Sequence, residues 1–320
     1  MINENYRFFI IFCSLLLPID TKAEVLSLDD ALRATYSACI GIDSSLTDLK
    51  KMAGINTVVT GVGTGLGAGA TIVGAKKANK DSELEEWERI LNELIAKQEQ
   101  HAVEYDKISI DDIPSAIATA QSNNKNAEEK VDELTKQSRQ LGNWRTGLMA
   151  GNTATNIAGA IIAGNNKVND DLQTQIDNCK LAVKNLRDSI MQAKFNGEDI
   201  SEANEIADAC KEYDYVDLSP INKKAKGAMI SSIVGATTGL AGTITSAVAN
   251  SEDIRKDEQA KQGQKTDEDW QKEKNINTAA NILAGTSTVA SGVATVFNAT
   301  QISAIKKVAF VAEKCTRVLK

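Results

Sequence analysis

Four stretches without a single charged side chain, residues 54–75, 146–166, 227–251 and 275–305, constrain this chain more than any other feature. They are built mainly of Gly, Ala, Thr, Ser and Val, and strongly charged segments separate them. Each is long enough to cross a bilayer, for which ~20 residues suffice. Their composition pulls the other way, because Leu, Ile and Phe are few and 146–166 holds Asn152, Asn156, Asn165 and Asn166. The first contains GVGTGLGAG, with Gly61, Gly65 and Gly69 four residues apart and Gly63 and Gly67 between them; the third contains Gly235 and Gly239. Glycine at a spacing of four bares the backbone along one helical face and lets a second helix approach closely. Gly61, Gly65, Gly69, Gly235 and Gly239 are therefore the expected helix-packing positions. In water each glycine costs a helix ~1 kcal/mol relative to alanine, so such helices need strong packing or a membrane.

The charged segments carry heptads. Leu84, Trp87, Leu91 and Leu94 follow 3-4-3 spacing, continued by Gln98, His101 and Tyr105, and Ile176, Cys179, Val183, Leu186 and Ile190 repeat the pattern. Such spacing makes a narrow apolar seam. Ser27 with Asp30 reads as a helix start, as do Asp111 and Asp112 before Pro114, and Asn196-Gly197 as a stop. Aromatic residues make up 4% of the chain, which disfavours sheets. The expected fold is all-α: a helical bundle of small-residue, glycine-zipper-like helices with charged coiled-coil hairpins.

An internal duplication is expected as well. Trp144 precedes the hexad 152–157 (NTATNI) and Trp270 precedes 277–282 (NTAANI) at nearly the same distance. Upstream, Ala38-Cys39, Lys50-Lys51 and Thr64-Gly65-Leu66 are echoed by Ala209-Cys210, Lys223-Lys224 and Thr238-Gly239-Leu240. The chain then divides into a signal peptide (1–23), a first repeat half (24–195) and a second (200–320).

Residues 1–23 have the apolar run and the small residues, Thr21 and Ala23, of a cleaved secretory signal. Cys13 goes with it, leaving Cys39, Cys179, Cys210 and Cys315 in an exported chain of the periplasm or cell envelope. An even count in an oxidising compartment points to disulfides; no C-x-x-C exists to favour zinc. Since each half opens and closes with one cysteine, the expected pairs are Cys39–Cys179 and Cys210–Cys315, with Cys39–Cys210 and Cys179–Cys315 as the rival.

The net charge of −7, without a basic stripe in the sequence, argues against nucleic acid as a partner. His101 is the sole histidine and sits on a heptad seam. Residues 69–76 (GATIVGAK) nearly imitate a phosphate loop, but the lysine is one place late and no hydroxyl residue follows it. No catalytic, cofactor or metal site is expected, nor a small-molecule substrate. Two functional readings stay open. One is a non-enzymatic envelope protein whose small-residue helices contact or enter a membrane, or self-associate. The other is a soluble exported scaffold that binds proteins through acidic coiled-coil hairpins.

Overall fold

The computed structural model describes residues 26–104 and 113–320. The signal segment with Cys13, the expected mature start at Glu24, and Tyr105, Asp111 and Asp112 lie outside the described residues. Everything regular among the described residues is helical: α1 (Leu28–Cys39), α2 (Ile42–Glu104), α3 (Ile113–Asn165), α4 (Asp170–Asn196), α5 (Ser201–Cys210), α6 (Ser219–Ala249), the short α7 (Glu252–Arg255) and α8 (Asp257–Lys261), and α9 (Asp267–Val318). Ser27 caps α1 by accepting from the Asp30 amide at 3.2 Å, and Gly197 ends α4 with φ +76°, a backbone state that glycine adopts without strain.

The described residues form two compact units, each assembled from separated segments: 26–45, 169–216 and 309–320 in one, 46–104, 113–168 and 217–308 in the other. Each thus takes residues from both sequence halves.

In the first unit α1, α4, α5 and the end of α9 enclose a conventional core. Ile176, Cys179, Val183, Leu186 and Ile190 are buried along α4, as are Ala203, Ile206 and Cys210 on α5. Cys39 pairs with Cys179 and Cys210 with Cys315, with Cα separations of 4.8 and 4.5 Å. These are the two within-half pairs. The sulfurs of Cys39, Cys179 and Cys315 lie within 4.8 Å of one another, so the two cystines sit side by side in this core and none of these sulfurs is a thiolate ligand.

The second unit is built on α2, α3, α6 and α9. The buried positions of α6 are Ile221, Ala225, Ala228, Ser232, Gly235, Gly239, Gly242, Ser246 and Ala249, an unbroken alternation of four and three. Asn56, Thr60, Gly63, Gly67, Ala70 and Gly74 do the same on α2, and Arg145, Met149, Asn152, Asn156, Gly159 and Ala163 on α3. This 3.5-residue period keeps one seam of each helix against its neighbours. Asn152 Nδ2 donates to Ser287 Oγ and Asn156 Nδ2 to Ser291 Oγ, both at 2.8 Å, while Gln301 Nε2 donates to the Asn166 carbonyl, also at 2.8 Å. All three bonds join residues 135 apart, which fixes α3 and α9 as parallel. Asn56–Asn298 and Asn281–Gly74 contacts set α2 antiparallel to α9. The turn of unit 2 that carries α7 and α8 meets a charged extension of α2 and α3. There Leu84, Leu91, Ala127, Val131 and Leu134 form an ordinary apolar core with Trp87, Leu94 and Ile95 against it.

Candidate functional site

The stretch of unit 2 between its charged ends is reversed in polarity. Its interior is Asn, Ser, Thr, Gly and Ala: Asn56, Asn156, Ser232, Ser246, Ser287, Ser291, Asn298 and Gln301 are all 0% exposed. Its outside is Ile, Val and Leu. Val58, Val62 and Ile72 on α2, Ile157 and Ile161 on α3, Leu240 and Ile244 on α6, and Ile282, Val289 and Val296 on α9 are each at least 49% exposed. Outward hydroxyls are absorbed by their own helices. Thr237, Thr245, Thr286 and Thr300 donate to the carbonyls of Ile233, Ala241, Ile282 and Val296, four residues back, at 2.6–2.9 Å. These four outward hydroxyls are thereby bonded within their own helices, and the outer face among the described residues of the stretch carries no charge.

The interior polar groups bond mostly to one another. Asn56 Nδ2 donates to Asn298 Oδ1 at 2.9 Å, and Ser291 Oγ lies within hydrogen-bond distance, 3.0 Å, of both Asn152 Oδ1 and Asn156 Oδ1. Ser287 Oγ reaches the Gly235 carbonyl at 2.7 Å. These bonds need close helix approach, which the inward glycines give. A Cβ on Gly235 would lie 2.8 Å from Asn156, one on Gly239 2.6 Å from Thr153, and one on Gly67 2.5 Å from Thr288 Oγ1.

Of the glycines expected to pack, Gly235 and Gly239 do so, and Gly69 makes an ordinary contact with Leu148 at 3.5 Å. Gly61 and Gly65 do not: nothing lies within 4 Å of either Cβ position. The packed glycines of α2 are Gly63, Gly67 and Gly74. The seam is set by Asn56, whose amide must be inward to find its partner Asn298, and Thr60, Gly63 and Gly67 continue that phase whereas Gly61 and Gly65 lie off it. The matched positions of the duplication also behave differently. Gly65 is open and Gly239 enclosed; Trp144 is 67% exposed and Trp270 7%. The parallel register of 135 residues differs from the 125 that separates Asn152 from Asn277.

At one end the seam meets buried charge. Arg145, 0% exposed, donates to Ser246, Asn277 and Asn281 at 2.8, 2.9 and 3.0 Å. Beyond it Lys265 Nζ bridges Glu88 and Glu273 at 2.9 Å each, the Trp270 indole donates to Glu88, and Arg255 lies between Asp257, Glu273 and Ser138. Lys77 pairs with Asp81 at 2.6 Å. Burial pushes the Glu88 and Glu273 carboxyls above the usual range although Lys265 pulls both down. Burial would lower the Lys265 ammonium, but the attraction of Glu273 and Glu88 outweighs it and leaves it raised. A cavity of about 140 Å³ beside this cluster is lined by Asp81, Glu88, Trp270, Glu273 and Asn277. Every cation named here has a carboxylate or amide partner, an arrangement that holds helices in register.

At the opposite end of the same bundle the cations have no ion-pair partner among the described residues. Lys50, Lys51, Lys167, Lys223, Lys224, Lys226, Lys306 and Lys307 border the uncharged stretches of all four helices. Scattered in sequence, they gather at one level in the fold. Sequence reasoning used two of these lysine pairs only as repeat markers and missed the group; the signal was that each uncharged stretch is bounded by lysine at this end. No protein-family model matches the chain, and no curated protein and no solved structure matches it.

Proposed function

We propose that unit 2 is a membrane-spanning four-helix bundle, and that the chain is a non-enzymatic, exported envelope protein anchored by it. One observation carries this reading: along the same four helices the outward face is Ile, Val and Leu where the interior is Asn, Ser and Thr, and it becomes charged where the interior becomes Leu and Val. In water the first arrangement exposes apolar surface and buries polar groups, both unfavourable. In a bilayer it is the stable one, because small residues and interhelical hydrogen bonds hold such helices together. The lengths agree. The uncharged 146–166 rises ~31 Å and 54–75 ~33 Å at 1.5 Å per residue, against a hydrocarbon core of ~30 Å. Three helices, α2, α6 and α9, are apolar and long enough to cross on their own. The stretch in α3 is not among them, because its asparagines require partners; it crosses as part of the assembly.

The cystines favour an oxidising compartment. Cys315 follows Lys307 on α9 by eight residues with no uncharged stretch between them, so the lysine end of the bundle faces that compartment and the charged extension of α2 and α3 the other. Alkaline carbonate extraction of membranes from cells making the full chain tests the reading. The protein stays in the pellet; release into the supernatant would favour the soluble scaffold instead.

A further inference from the structure

The lysine end of the bundle has a chemistry of its own. α2 contributes Lys50 and Lys51, α3 is followed by Lys167, α6 opens with Lys223, Lys224 and Lys226, and α9 carries Lys306 and Lys307. The register places them together. Val168 donates to Asn222 Oδ1, Gln301 to the Asn166 carbonyl, and Asn56 to Asn298. At 1.5 Å per residue all eight then fall within roughly 10 Å along the bundle axis. Seven are exposed and Lys224 is half-buried. None of them makes an ion pair among the described residues; at the other end Lys77, Lys80, Arg89, Lys130, Arg139, Arg255, Lys256, Lys261 and Lys265 do, while Lys76, Lys136, Lys272 and Lys274 there do not. In unit 2 the acids on this side are Asp48 and Asp217.

We infer that this ring binds the phosphate headgroups of an anionic bilayer leaflet on the oxidising side. The inference rests on the membrane reading above and adds the identity of the lipid. Eight like charges gathered within ~10 Å along the axis, around one rim of the bundle, repel one another, and such an excess, held at the edge of an apolar belt, is relieved by anions supplied from outside the chain. A headgroup phosphate lies at that edge. Lysine suits it as a flexible point charge on an apolar stem, which can lie along the belt while the ammonium reaches the headgroup layer. Each lysine near such a surface favours the anionic lipid by about fivefold.

The test uses the full chain reconstituted in phosphatidylcholine vesicles with trace spin-labelled phosphatidylglycerol or phosphatidylcholine, read by electron spin resonance. The expected result is a motionally restricted lipid fraction for both labels, with phosphatidylglycerol enriched several-fold at low salt and the enrichment largely lost near 1 M NaCl. A variant with Lys50, Lys51, Lys223, Lys226, Lys306 and Lys307 changed to Gln loses the enrichment but keeps the restricted fraction. Changing the same six to Arg preserves both, and changing the exposed Lys125 and Lys136 to Gln alters neither. A restricted fraction without preference for phosphatidylglycerol overturns the lysine assignment and leaves the membrane reading standing. No restricted fraction for either label overturns the membrane reading itself.

Discussion

Gly67 and Gly65 differ by two positions and should respond oppositely to the same added methyl group. At Gly67 a Cβ would sit 2.5 Å from Thr288 Oγ1, 2.9 Å from Asn152 Nδ2 and 3.1 Å from the Thr288 Cα. The hydroxyl and the amide can turn away; the backbone atom cannot, so α2 and α9 must separate. Overpacking of this kind costs about 1–3 kcal/mol. Separation also stretches the Asn56–Asn298 bond between the same two helices, now 2.9 Å. At Gly65 nothing lies within 4 Å, and alanine there brings only its helix preference, about 1 kcal/mol in water and less in an apolar medium. That preference is common to both sites. The difference between Gly67→Ala and Gly65→Ala therefore isolates the packing cost: about 1–3 kcal/mol, or roughly 5- to 150-fold in the folded-to-unfolded ratio. Denaturant titration of the detergent-purified full chain, followed by helical circular dichroism, reads both variants against the parent. Equal stability of the two, or a less stable Gly65→Ala, would refute the phase assigned to α2 and restore Gly61, Gly65 and Gly69 as the packed face.

Lys265→Met leaves Glu88 and Glu273 buried without their shared cation and should cost about 3–5 kcal/mol at neutral pH. Both carboxyls have folded pKa values raised by burial, so the folded state holds their protons more tightly than the unfolded state does. Protonation therefore favours folding as pH falls in both proteins, and more strongly in the variant, where Lys265 no longer pulls the two carboxyls down, so the variant's loss relative to the parent should shrink as pH falls from neutral; a loss independent of pH would count against the raised carboxyls. Replacing Cys39 and Cys179 together by Ser opens a link between residues 140 apart and should lower stability by about 4–5 kcal/mol. Non-reducing peptide mapping should recover Cys39 with Cys179, and a peptide joining Cys39 to Cys210 would contradict the pairing. N-terminal sequencing of the exported chain should begin at Glu24, and retention of residues 8–17 would remove the signal-peptide reading.

The helical class, the Leu84–Leu91 and Ile176–Ile190 seams and the two cysteine pairs were legible because each rests on a residue with one strong preference. Leucine and isoleucine at 3-4 spacing have a single face to bury, and four cysteines allow few pairings. The uncharged helices were harder for a definite physical reason. A residue such as Gly or Thr has no fixed side: Gly65 and Gly67 read alike in sequence, yet one is open and the other lies against Thr288. Their phase is decided by Asn56, Asn152, Asn156 and Asn298, the residues with most to lose if unpaired. Treated as a departure from apolar composition, those asparagines argue against a membrane. Placed on the seam, where Asn156 is 0% exposed and Ile157 beside it 49%, they argue for one. The same reversal applies to charge. A net charge of −7 describes the average of the chain, while the lysines bordering the uncharged stretches collect at one end of the bundle because antiparallel neighbours bring the start of one helix level with the end of the next. Partner chemistry in such a chain is set by which charges the fold gathers rather than by how many it has, and only the register, fixed by a few buried amides, reveals that.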